Sequence, residues 1–142
     1  MLLRMKRLLF ALLAGCASQA TPPPAAPAAV NASEPAGAEM MAPSTVAGYR
    51  VKGDSMIAPD DMDKWAMAEH EVSRVTYSGK ICIGTDGHVA SIRMLQSTGI
   101  PGYDRKIQRR ISEWEYSPFM VNGRPVAVCT GVTMIYNQAN RR

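Results

Sequence analysis

The side chains with which this 142-residue chain could do chemistry are few: three cysteines, two histidines and ten methionines. A hydrolytic triad needs a nucleophile, a base and an orienting carboxylate. Asp86, His88 and Ser97 supply the types, yet Asp86 and His88 flank a glycine in what reads as a turn, and turn chemistry accounts for all three. A soft cation such as copper(I) wants thioether and imidazole ligands, which Met56, Met62, Met67 and His70 offer. Core filling is the plainer use of those methionines. Asp60, Asp61 and Asp63 could suggest a cation site, but the glycine and distant glutamate of a calcium loop are missing, and capping of a helix start explains them. No HExxH, no Cys-x-x-Cys and no glycine-rich phosphate loop occurs. The reading is therefore no enzyme, no metal and no cofactor. The cysteines remain.

Cys16 ends a distinctive N-terminal stretch. Arg4, Lys6 and Arg7 are followed by an apolar run over residues 8–15, too short for the roughly 20 residues of a spanning helix. A basic start and a short apolar core are the layout of a secretory signal. The run closes on Leu13-Ala14-Gly15-Cys16, which resembles the lipobox of bacterial lipoproteins. That resemblance implies a signal over residues 1–15, cleavage before Cys16, acylation of its thiol and anchoring to a lipid bilayer. The alternative is an uncleaved signal anchor. Stable attachment needs the two or three chains of a mature lipoprotein, since one acyl chain holds only marginally. Ala17 rather than Asp follows, and similarity to enterobacterial sorting then favours the outer membrane.

The formal charge of +4 includes Arg4, Lys6 and Arg7, so a processed chain would carry about +1. Nothing in that balance supports nucleic-acid binding. Residues 16–47 read as the lipidated cysteine and a disordered tether rich in Ala, Pro, Ser and Thr. It holds six of the ten prolines and too little apolar surface to fold. Some 30 residues at roughly 3.1 Å each would reach about 90 Å. Met40 and Met41 read as incidental. Residues 48–142 are expected to form one small domain with a thin core.

The elements within it follow from spacing. Acidic residues after Pro59 start a helix in which Met62, Trp65, Ala66 and Glu69 keep helical spacing, so Trp65 is expected to pack inward. Over residues 74–83, Val75, Tyr77, Ile81 and Ile83 alternate with Thr76, Ser78, Lys80 and Cys82. Asp86-Gly87 predicts a hairpin turn, and a second strand follows through Val89, Ile92 and Met94. A helix comes next, with Tyr103, Ile107, Ile111 and Trp114 as its apolar stripe. Asp104, Arg105, Lys106, Arg109 and Arg110 read as its solvated face. A last strand is expected over residues 125–136, with Val126, Val128, Val132, Met134 and Tyr136 on its apolar face. The predicted class is α+β: two layers, a three-stranded antiparallel sheet of ββαβ order, and two helices.

Taken in order, Asp86-Gly87-His88-Val89, Gln96-Ser97-Thr98-Gly99 with Tyr103-Asp104, Trp114-Glu115-Tyr116-Ser117-Pro118 and Asn122-Gly123-Arg124-Pro125-Val126 resemble the C-terminal domain of TonB-type energy transducers. The resemblance covers residues 79–136. It implies that the last strand lies beside the first and has a free edge, which binds an extended peptide of an outer-membrane receptor by strand addition. The edge would be Val128 to Tyr136, with Thr130, Val132, Met134 and Tyr136 nearest the partner. If first and last strands are neighbours, Cys82 and Cys129 can meet. Export then favours a disulfide over two buried thiols. A transducer also needs an inner-membrane helix, which a cleaved signal would not leave. The readings that stay open are a lipid-tethered module binding a receptor peptide or another envelope protein, a cell-wall or scaffold lipoprotein, and a transducer with a retained anchor. A second copy of the chain is a further candidate partner.

Overall fold

The computed structural model describes residues 33–138. Cys16, the signal and the first half of the tether lie outside the described residues. The elements are β1 (Glu39–Met40), α1 (Pro43–Gly48), β2 (Arg50–Lys52), α2 (Asp61–Glu69), β3 (Arg74–Ile83), β4 (Val89–Gln96), α3 (Pro101–Ser112), β5 (Glu115–Tyr116), β6 (Phe119–Val121), β7 (Arg124–Val126) and β8 (Val128–Asn137). The main sheet has the order β1-β8-β3-β4, antiparallel except for the parallel pair β1–β8. Two short ladders, β2–β5 and β6–β7, complete the fold. The α+β class holds; α1 adds a third, short helix, β1 adds a fourth strand to the main sheet, and the two short ladders are further additions.

Alternation in β3 builds the core. Val75, Tyr77, Ile81 and Ile83 are buried against Tyr103, Ile107 and Ile111 of α3 and Trp114 just beyond it. Gly87 turns the β3–β4 connection at φ 85°, and a Cβ there would stand 2.1 Å from the carbonyl oxygen of Tyr116, so no larger residue fits. Asp60 caps α2: its carboxylate accepts from the Asp63 amide at 3.0 Å, and Asp63 accepts from the Asp60 amide at 3.3 Å. The aspartates are thus a cap, as their spacing suggested.

Four expectations are corrected. Trp65 is 61% exposed, and Met67 is the buried anchor of α2, because the helix turns its Asp63–Met67 stripe inward. Asp104 is buried rather than solvated. Its carboxylate accepts from the Ser97 hydroxyl, the Thr98 amide and the Thr98 hydroxyl, locking the β4–α3 loop. The last strand is broken at Ala127 into β7 and β8, and β7 pairs with β6 instead of β3. The packed chain also begins earlier than residue 48. Val46 is 1% exposed and Met41 packs on the core, so the end of the assigned tether is part of the fold. Burial of these two apolar side chains, with the hydrogen bonds of β1 to β8, helps to offset the cost of ordering an Ala-rich run.

Candidate functional site

β8 pairs with β3 in unbroken register, from Val128↔Ile83 to Asn137↔Arg74. Cys82 and Cys129 face each other in that ladder, and their sulfurs are bonded, 2.07 Å apart. The other side of β8 is the side that an added strand would need. Its first residues are taken. β1 runs beside Val128 and Cys129, with the Glu39 amide donating to the Ala127 carbonyl at 3.0 Å and the Met41 amide to the Cys129 carbonyl at 2.9 Å. The Thr130 hydroxyl donates to the Met41 carbonyl at 3.0 Å. Glu34, further back, reaches Lys80 on the face away from the helices at 2.6 Å. Residues 34–48 therefore wrap the edge like a clasp. They start on the helix-free face, pass along β8 and dock Val46 in the core on the other side.

Beyond Cys129, no strand pairs with this side of β8 among the described residues. Backbone groups alternate in direction along a strand. The carbonyls of Ala127 and Cys129 point outward, and the register has no bulge, so the amides and carbonyls of Gly131, Thr133 and Ile135 point outward too. The residues expected at the edge thus differ among themselves in what they present. Val128 and Thr130 are committed to the clasp and the core, and the even-numbered backbones face β3. Val132, Met134 and Tyr136 instead contribute side chains, which pack partly on the core along the helix side of the edge. The odd residues were missed because apolar alternation reports which side chains are buried and is silent on which backbone groups lack a partner.

Beside the open edge lie two clefts that share Ser55, Thr133 and Met134 in their walls. One of about 240 Å³ lies between α1, Arg50, Trp114 and residues 130–134; one of about 390 Å³ lies between residues 55–57, Tyr103 and residues 133–137. The Tyr103 hydroxyl donates to the Ile57 carbonyl at 2.5 Å and holds the wall of the second. Burial pushes its pKa up to about 12. In the first cleft the Arg50 guanidinium stacks on the Trp114 ring, 4.6 Å from its centroid. Gly53 makes room for that ring: its φ is 109°, and a Cβ would lie 2.0 Å from Trp114 Cδ1. The neighbouring Lys52 pairs with Glu115 at 2.6 Å, holding that carboxyl below its usual range, whereas Arg50 makes no ion pair among the described residues. Burial raises the Tyr116 hydroxyl, with Arg50 acting against it.

The triad residues do not assemble. Asp86 accepts from the His88 backbone amide at 3.1 Å, while Ser97 serves Asp104 at the far end of β4, roughly 25 Å away for an eight-residue strand. Of the methionines weighed as copper ligands, Met67 is core, whereas Met56 and Met62 are 81% and 73% exposed.

A small sheet with one covered face, one open strand edge and an apolar cleft beside it has the form of a compact α+β contact module. The chain belongs to a known family of this kind: residues 66–137 match the family of Gram-negative bacterial TonB protein C-terminal domains. Among solved structures it is similar to the solution NMR structure of Pseudomonas aeruginosa TonB CTD, at 20% identity and a TM-score of 0.48, over 66% of this chain and 88% of that one. No curated protein matches it. Membership brings a TonB-related function in the cell envelope. No helix among the described residues is long and apolar enough to cross a membrane.

Proposed function

We propose that this chain is a lipid-anchored protein of the Gram-negative envelope, attached through Cys16, whose TonB-type domain faces the periplasm. It takes up an extended segment of an envelope partner as an added strand on β8. The observation that carries the reading is the outward row of backbone groups at Gly131, Thr133 and Ile135, which no strand of the described chain satisfies. Main-chain pairing supplies affinity, and the flanking clefts supply side-chain selection. The partner class favoured by family membership is an outer-membrane receptor peptide. The lipobox supports the anchor, and Ala17 favours the outer membrane.

Titration of labelled protein with receptor N-terminal peptides tests the binding. The expected result is saturable binding, with amide shifts concentrated on residues 131–137. Absence of saturation for every peptide would sink the reading. The anchor is tested by the intact mass of membrane-extracted protein: a mass of residues 16–142 plus acyl chains is expected, and a retained Met1 without lipid would refute it.

A further inference from the structure

The guanidinium of Arg50 is half-buried, stacked on a buried indole and without a carboxylate among the described residues. Every other feature of its surroundings serves to hold it there. β2 fixes its backbone opposite Tyr116, Trp114 supports one face of the planar cation, and Gly53 seats Trp114. The indole Nε1 is itself buried with no hydrogen-bond partner among the described residues, so stacking and packing hold the ring. The Arg50 side chain reaches the Tyr116 hydroxyl, and its remaining donors meet no carboxylate among the described residues, so an anionic group entering the cleft can complete the contact. Arg50 lines the first cleft together with Thr130, Gly131 and Val132, where the open edge begins and the clasp blocks further pairing. Lys52, two residues on, has its carboxylate in Glu115. The contrast marks Arg50 as a cation kept for something outside the domain.

We infer that Arg50 selects the partner strand by its charge: the added segment carries an acidic side chain at the end that meets the clasp, and the carboxylate is bound by the stacked guanidinium. A planar fork of donors takes a carboxylate in a two-point contact, which fixes the register of the strand as well as adding affinity. The inference rests on the strand-addition reading above. Arg50 lies outside residues 66–137, so the feature belongs to the segment that precedes the family domain in this chain.

The test uses the full-length chain in detergent and a set of synthetic nonapeptides with alternating β-branched residues. One end position carries Glu, Gln or Lys, and all carboxyl termini are amidated. Glu peptides are expected to bind about tenfold more tightly than their Gln partners, the scale of one charge-assisted contact. Lys peptides should be weakest. With Arg50→Gln the Glu–Gln difference should fall below about twofold, whatever the change in overall affinity. Equal binding of Glu and Gln peptides to the unaltered chain overturns the inference without touching strand addition, and it needs no protein variant. A Glu preference that survives Arg50→Gln overturns it too, as does a preference seen only when free carboxyl termini are restored. No saturable binding of any peptide removes strand addition itself, and the inference with it.

Discussion

The two halves of the outer edge of β8 are the same strand in the same register, yet they are treated in opposite ways. At Val128 and Cys129 the edge is covered by β1 and bonded across to β3 through Cys82. From Gly131 to Ile135 no strand of the described residues lies beside it, and it opens on clefts lined by partly buried apolar side chains. An exposed edge invites uncontrolled pairing. Covering the half that joins the tether leaves a short template with one blocked end. On the strand-addition reading, this limits the length of pairing before any side chain is read.

The largest disturbance to the covered half should come from its disulfide. The bond closes a loop with a sequence separation of 47, for which the chain-entropy model gives about 4 kcal/mol. Urea unfolding with and without reductant should show a loss of that order, and unchanged midpoints would mean that the pair does not constrain the unfolded chain. Val46→Ala removes a fully buried side chain from the clasp and should cost about 2 kcal/mol. Hydrogen exchange of the Glu39 and Met41 amides should then speed up while β3 amides stay protected. If β3 exchanges equally fast, the clasp and the sheet are one cooperative unit.

Tyr103 probes the wall of the open half. Its folded pKa, near 12, lies above the ordinary 10 because of burial, so its stabilising share is complete below pH 10 and is lost as the pH rises towards 12. Two pKa units correspond to about 2–3 kcal/mol at most. Tyr103→Phe should cost about 1 kcal/mol at neutral pH, through the bond to Ile57, and should flatten part of the alkaline fall in melting temperature. An identical alkaline profile would show that other tyrosines carry the effect. Thr133→Pro removes an outward amide without touching the ladder to β3, so it should cost about 1 kcal/mol of stability or less. Strand addition should meanwhile weaken at least about tenfold, because a main-chain hydrogen bond and close approach are both lost. Undiminished peptide binding would place the partner elsewhere. Trp65→Ala, on the exposed face of α2, should change stability by less than about 0.5 kcal/mol.

Periodicity made the central elements legible. The alternation of Val75, Tyr77, Ile81 and Ile83 and the stripe of Tyr103, Ile107 and Ile111 repeat one pattern over several turns or pleats, and the structure buries all of them. Single residues in weak patterns were misjudged. Trp65 has helical spacing, but α2 is only nine residues long, and a short helix can rotate its stripe by one position to bury Met67. Val46 and Met41 sit in a run whose average composition argues against folding, and averages hide two well-placed side chains. The Met40-Met41 pair was the signal that the run is not uniform. Arg50 and Trp114 are 64 positions apart, a contact that no local motif encodes.

The entry point of the chain also sets how the domain would respond to tension. Glu34 and β1 join the sheet at one end of β8, and an added strand would lie along the other end of the same strand. A pull between tether and partner would therefore travel lengthwise through β8, across hydrogen bonds that stand perpendicular to it and share the load. The disulfide rivets β8 to β3 where the tension enters. Under such a load the two-residue pairing of β1 would yield first, slipping before the sheet deforms, so the clasp would act as the mechanical fuse of the domain.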